Sequence, residues 1–397
     1  MRKIDLTDFQ VATSETARQI NRRIALNFIR RHQPLSRADL ARRSGLQRST
    51  ISAIIDQLID EGWVTEGAIA EARRGRRPRF LHLNAERTRI VGVELRPEMT
   101  YVGLAGLDAR FVAQTSWPTP TDSTDFVREL IRTVNQFREA HPREAVEGMG
   151  VSLPGRVDST GRTVFAPNLP WLTTVDLKAV LEPAIGLPVV LENAANACVL
   201  AEAWFGRHPE HVKNIVAVGV SEGLGVGLLL NGQLVRGSGA MAGEFGHVTL
   251  DEDGPPCNCG KRGCWERYAS NTAAVRHYLD RLGDRAPHSP PPRYEDLLCQ
   301  AVAGDGCAGA TLERQARYLG MGLAALRTGL SPEVIVVSGE ITGAWGRIGP
   351  IVEDVVARWS LPGTPTRIVA TDPQERPRLR GAVTLVVQQH FGAPNVA

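Results

Sequence analysis

No stretch of this 397-residue chain approaches 18 consecutive apolar residues, and Met1 to Glu15 hold no apolar run that could form the core of a secretion signal. A membrane span and an export signal are therefore both unexpected, and a cytoplasmic protein that does not engage a membrane is the expectation. Cysteine is scarce: six in all is no disulfide framework, and three of them, Cys257, Cys259 and Cys264, crowd into eight positions. In a reducing compartment such crowding reads as metal binding. The 39 glycines and 25 prolines are dispersed without a repeat, which excludes collagen-like and low-complexity classes. What is present is 43% hydrophobic and 22% charged residues, the balance of a soluble globular protein with length for two or three domains.

A net charge of +3 conceals an asymmetry. Residues 1–90 carry 18 basic and 10 acidic side chains, and the remainder carries 28 basic and 33 acidic. A basic head is joined to a mildly acidic body.

Within the head, Ile20, Ile24, Leu26, Phe28 and Ile29 predict a first helix running up to Pro34. Ser36 is a natural N-cap for a short helix that ends at Ser44-Gly45. Ile51, Ile54, Ile55, Leu58 and Ile59 then fall on one face of a further helix, at i, i+3, i+4, i+7 and i+8. Helix, tight glycine turn and helix form a DNA-binding motif. The acids Asp56 and Asp60 lie in the C-terminal half of the last helix, so its N-terminal half is the part suited to a major groove. Gln47, Arg48, Ser49, Thr50 and Ser52 are the candidates for contact with base edges and flanking phosphates. Downstream, Arg73, Arg74, Arg76, Arg77 and Arg79 are five arginines in seven residues followed by the strand-like Phe80-Leu81-His82-Leu83, which reads as the tip of a β-wing. These arginines would supply phosphate contacts or enter a narrow minor groove.

From Ile90 onward, short apolar runs such as Ile90–Leu95, Gly148–Ser152, Ile215–Val220 and Val334–Ser338 alternate with helical segments, the pattern of an α/β body. A soft tetrahedral ligand set is legible within it: His247, nine residues, Cys257-x-Cys259, four residues, Cys264. One imidazole and three thiolates suit a zinc ion, and with no position left for water the site would be structural, one Zn2+ per chain.

The run Gly223-Leu224-Gly225-Val226-Gly227, followed by Gly243-Glu244-Phe245-Gly246-His247 and Cys257 to Glu266, resembles the ROK family of sugar kinases and sugar-responsive repressors. Pro154-Gly155, Ala166-Pro167-Asn168-Leu169, Glu192-Asn193-Ala194-Ala195-Asn196-Ala197 and Pro332 to Val336 extend the resemblance, which spans essentially residues 20–385. It implies a winged helix-turn-helix followed by a two-lobed, actin-like (ribonuclease H-like) α/β body. The expected units are 1–85 for the head, 86–200 for a small lobe completed by a C-terminal helix at 377–397, and 201–376 for a large lobe with the metal. It further implies sugar ligands at Asn168, Asn193, Glu244, His247 and Glu266, with Pro154 and Gly155 shaping the adjoining loop. His247 would then serve metal and sugar together.

Two departures concern phosphoryl transfer. Where the kinase branch has Asp-x-Gly-Gly-Thr, this chain has Glu94-Leu95-Arg96-Pro97-Glu98, with no glycine, a proline that removes an N–H, and an added acid. The family pattern Glu-Asn-Asp supplies a catalytic base, worth about 10²–10⁴-fold, where this chain has Ala194. The expectation is a chain that is not an enzyme and has no catalytic residues: a repressor of carbohydrate-utilisation genes, binding a palindromic double-stranded operator as a homodimer or homotetramer and modulated by a sugar or sugar derivative. The alternatives are an active ATP-dependent sugar kinase with an appended head, and a constitutive DNA-binding protein whose body only dimerises.

Overall fold

The structure, a computed structural model, describes residues 14–69, 79–84, 88–209, 211–285, 290–372 and 374–392. The head holds helices Ser14–His32, Arg37–Ser44 and Arg48–Asp60 and a three-stranded antiparallel sheet in the order Leu35–Ser36, Arg79–Leu83, Val64–Ile69. Ser36 starts the second helix through a reciprocal capping box with Asp39, and Gly45, at φ 72°, closes it in the left-handed conformation. The predicted apolar face of Arg48–Asp60 is buried through Ile51, Ile54, Ile55 and Leu58, against Leu26, Ile29, Leu40 and Leu81.

Two five-stranded sheets build the body. In the first the order is Val189–Asn193, Ala145–Leu153, Thr88–Leu95, Met99–Ala105, Phe111–Pro118; in the second it is Gln233–Leu234, Leu224–Leu230, Ile215–Val220, Val334–Ser338, Arg367–Ala370. Each sheet sets three parallel strands beside an antiparallel meander, so the two lobes repeat one plan. Thr88–Leu95 and Ile215–Val220 are buried along their whole length, as expected for central strands covered on both faces. Their C-terminal turns, at Arg96-Pro97 and Ser221-Glu222, face one another across the interlobe cleft, the usual position for a ligand in an open α/β sheet.

The C-terminal helix Pro377–Phe391 returns to the first sheet, seated so closely that a Cβ at Gly150 would lie 1.8 Å from the Ala382 carbonyl oxygen. Its far end completes the head. Val383, Val386, Val387 and Phe391 belong to the same apolar cluster as Leu26, Ile55 and Leu81, joined by Ile90 and Ala105 from the first sheet and Leu107 from the turn that follows. The Trp63 ring lies 4.6 Å from His390 and edge-on to Phe391 at 6.1 Å. Burying an aliphatic or aromatic side chain of this size contributes roughly 1.5–3 kcal/mol, so these body residues are a substantial share of the head's core. Among the described residues, no helix is long and apolar enough to cross a membrane.

Candidate functional site

The exposed surface of the head is polar where its third helix begins. Gln47, Arg48 and Ser49 are exposed, and Thr50 and Ser52 are half-buried on the same turn. Further along, Asp56 does not stand alone: Arg37 pairs with its Oδ1 at 2.7 Å and with Glu66 Oε1 at 2.7 Å, tying third helix, second helix and hairpin together. That pairing offsets the acid the sequence sets on this face. Arg42 and Arg43 are exposed in the last turn of the preceding helix, Arg42 paired with Asp39, and were not among the sequence candidates. Strands Val64–Ile69 and Arg79–Leu83 form the expected hairpin, with Arg79 exposed opposite Ile69. Arg73, Arg74, Arg76 and Arg77 lie outside the described residues.

Between the lobes lies a cavity of about 180 Å³. Pro154, Gly155, Asn168, Asn193, Glu244, His247 and Glu266 all contribute to its wall, although they are spread over more than a hundred positions of sequence. Asn193 is held from both sides. Its Oδ1 accepts from the N–H groups of Ala195 and Asn196, capping the helix Ala194–Phe205, while its Nδ2 donates to the Gly155 carbonyl at 2.6 Å. Gly155 takes φ 112°, and a Cβ there would come within 2.2 Å of the Phe165 carbonyl oxygen, so this loop requires glycine. Glu244 opens the short helix Glu244–His247; burial raises its pKa, opposed by His247 and Arg156.

Below that wall His247, Cys257, Cys259 and Cys264 bring one ligand atom each within 4.8 Å of one another. Cys259 Sγ and Cys264 Sγ are 3.6 Å apart, far beyond a disulfide and close to the roughly 3.8 Å edge of a tetrahedron with 2.3 Å metal–sulfur bonds. His247 Nδ1 lies 3.6 Å from Cys257 Sγ, while Nε2 faces Glu244 Oε2 at 3.7 Å. Nδ1 thus lies beside both Cys257 and, at 3.5 Å, Glu266 Oε1, while Nε2 addresses Glu244. Gly260 and Gly263 adopt φ 89° and 62°, which turns the loop back on itself, and a Cβ on Gly263 would collide with Asp251 O at 1.5 Å. Burial pushes the Cys257 thiol up, and it donates to Glu266 Oε1 at 3.0 Å. A cation bound by the thiolates would take that proton's place. The donor set fits a metal ion of the zinc type.

At the opposite end of the cavity, it is Arg96 and Pro97 rather than Glu98 that face the cleft; Glu98 is exposed. Arg96 donates to Glu94 Oε1 at 2.6 Å within its own lobe and to Glu340 Oε1 at 2.9 Å in the other. Although burial disfavours the Arg96 cation, Glu94 and Glu340 more than offset this and raise its pKa. Arg378 of the C-terminal helix reaches the same wall and donates to Ser221 Oγ at 2.5 Å. Arg156 and Arg378 line the cavity without having been singled out in the sequence. Arg156 directly follows Pro154-Gly155 and was the more detectable of the two. Ala194 also lines the cavity and presents only a methyl group.

Comparison with known proteins supplies the frame. Residues 90–389 match the profile described as "ROK family", and residues 20–75 match that described as "MarR family". The xylose repressor of Bacillus spizizenii is 30% identical over 334 residues, covering 83% of this chain and 85% of the relative. A crystal structure described as a ROK family transcriptional regulator, homolog of E. coli MLC protein, superposes with TM-score 0.80 at 27% identity, covering 95% of this chain and 97% of that one. The glucokinase of Streptomyces coelicolor is 31% identical over 290 residues, covering 69% of this chain and 88% of the relative. This last match corrects the expectation that the chain is not an enzyme: sugar kinases align across the same body, so phosphoryl transfer stays open to it.

Proposed function

The chain belongs to the ROK family, and on that premise we propose that it is a transcriptional regulator of carbohydrate-utilisation genes whose operator affinity responds to a sugar or sugar derivative in the interlobe cavity. One observation carries the reading: a winged head with a polar recognition turn shares its hydrophobic core with a body whose cavity is lined by amide, carboxylate and imidazole groups. A sugar's hydroxyls both donate and accept, and these groups are the complement they need. In this reading Gln47, Arg48, Ser49, Thr50 and Ser52 meet the major groove. Arg73, Arg74, Arg76, Arg77 and Arg79 meet phosphate or the minor groove. Asn168, Asn193, Glu244, His247 and Glu266 hold the sugar beside Pro154 and Gly155. The working units are 1–85, 86–200 with the C-terminal helix, and 201–376. A structural Zn2+ on His247, Cys257, Cys259 and Cys264 fixes the segment bearing Glu244 and Glu266. A homodimer or homotetramer sets two heads on a palindromic operator, with half-sites about 34–36 Å apart or a multiple of that.

The test is retardation of DNA from the gene's own upstream region by the full-length protein at low salt, with and without a panel of pentoses and hexoses that includes D-xylose and D-glucose. Retardation that a sugar weakens or strengthens supports the reading, and failure to retard any fragment ends it. A second reading, a sugar kinase carrying a DNA-binding head, is favoured by the alignment with glucokinase. Coupled ATP turnover with the same sugars reads it directly.

A further inference from the structure

The helix Ala194–Phe205 physically joins the cavity to the head. Its first turn lies in the cavity wall through Ala194, Ala195 and Asn196, and Asn193 ties its start to Gly155. Its last turn lies against the head. Arg30 Nη1 donates to the Trp204 carbonyl at 2.9 Å, and the Arg30 guanidinium stacks over the Trp204 ring at 4.6 Å. At 1.5 Å per residue, the twelve residues make a rod of about 18 Å.

There is little slack along that rod. Residues Ala195 to Ala201 are all buried. On one side a Cβ at Gly227 would lie 2.1 Å from Ala195 O; on the other, a Cβ at Gly381 would lie 2.6 Å from the Ala197 carbonyl. Close-packed interiors pass displacement on rather than absorb it. The companion C-terminal helix ends on the same part of the head, where Asn27 Nδ2 donates to Phe391 O at 2.6 Å and Arg23 Nη1 to Gly392 O at 3.0 Å. From the first helix of the head the contact continues to the recognition helix: Arg18 donates to Gln57 at 2.9 Å, and Arg22 pairs with Glu61.

We propose that the helix Ala194–Phe205 carries the state of the cavity to the head, with Asn193 as the input contact and the Arg30–Trp204 contact as the output. The inference rests on the reading of the chain as a ligand-responsive DNA-binding protein. A ligand engaging Asn193 competes with its bond to Gly155 and so changes the seating of the helix start. A tilt of about 5° over the 18 Å rod moves the far end by about 1.6 Å, within the roughly 1–2 Å range of helix shifts in known switches.

Amide hydrogen exchange on the full-length chain tests the relay without any sugar. Asn193→Asp keeps the capping acceptor and removes the donor to Gly155. Exchange is expected to quicken at least threefold across residues 194–205 and also across 20–32 of the head, while strands 215–220 and 334–338 stay unchanged. In an Arg30→Met background the response at 194–205 is expected to persist and the response at 20–32 to disappear. A response confined to the cavity end, or a head response indifferent to Arg30→Met, overturns the relay. Should Asn193→Asp fold poorly, Trp204→Ala approaches from the other end, and reciprocity requires faster exchange around Asn193; its absence is equally fatal. Thermal shift with D-xylose and D-glucose reads the functional proposal separately. A chain that binds neither sugar yet passes the variant test keeps the relay and loses the sugar reading.

Discussion

Gly381→Ala sets two opposing effects against each other, and the structure decides between them. In an exposed helix interior, replacing glycine by alanine stabilises by about 1 kcal/mol through backbone entropy. At Gly381 the added methyl would meet the Ala197 carbonyl carbon and oxygen at 2.6 Å and the Ala197 Cβ at 2.8 Å. None of these belongs to a flexible side chain that could swing away, so the cost falls near the upper end of the roughly 1–3 kcal/mol typical of overpacking. The net is destabilisation by about 2 kcal/mol. Gly329, exposed near the end of the helix Gly306–Leu330 with nothing within 4 Å of its Cβ position, is the control, and there alanine is expected to gain up to about 1 kcal/mol. Urea unfolding followed by far-ultraviolet circular dichroism would separate the variants by about 3 kcal/mol, with midpoints displaced in opposite directions from the parent. A Gly381→Ala protein as stable as the parent would refute the claim that the two helices cross without slack.

Elemental analysis of protein purified without chelator is expected to find about one zinc per chain, and Cys259→Ser to abolish zinc binding while the head stays folded. In the head, Arg76→Ala with Arg77→Ala is expected to lower operator affinity on all sequences and to flatten the salt dependence by about 0.9 in slope for each phosphate that is no longer neutralised. Arg48→Ala or Gln47→Ala is expected to relax sequence preference instead, and equal weakening on every sequence from both sets would contradict this division. For pH, burial, aided by the Arg314 and Arg276 cations, lowers His277 from 6.5 to about 4 in the folded chain. The unfolded chain therefore takes up this proton first on acidification. The stability it confers is complete above about pH 6.5 and is lost as pH falls towards about 4. Stability measured across that window is expected to slope less in His277→Asn; an unchanged slope would remove His277 as its source.

Much of the head was legible because its signals are local. The Ser36 cap, the Gly45 turn and the spacing of Ile51, Ile54, Ile55 and Leu58 each act within one or two helical turns. The His/Cys cluster was legible for the same reason, with all four residues inside one short loop and the preceding turn. The cavity residues Asn168 and Asn193 became a group only through the family resemblance, since each alone reads as an ordinary cap or turn residue. Other features were hidden by distance or by the absence of a pattern. Arg378 enters the cavity wall and Phe391 the head's core from a helix remote in sequence, and no periodicity announces either. The strand Thr88–Leu95 is buried throughout and has no alternation to show which residue of the following turn faces the cleft, so Glu98 was read as an acid added where phosphates would lie, whereas Arg96 and Pro97 face the cavity. Nor did the spacing of Asp56 reveal that Arg37 would neutralise it.

The shared core of the head and the C-terminal helix has a consequence for the order in which the protein is made. The head leaves the ribosome ahead of the body, yet Val383, Val387 and Phe391, which complete its packing, are translated about 300 residues later. At about 5–20 residues per second, roughly 20–70 s separate the emergence of the first helix from that of its final packing partner. Until then the nascent head has an open apolar flank, and a chain aborted before this helix would carry the head without the support that holds it. Completion of the head's core is thereby made contingent on synthesis of that helix, a check that needs no additional factor.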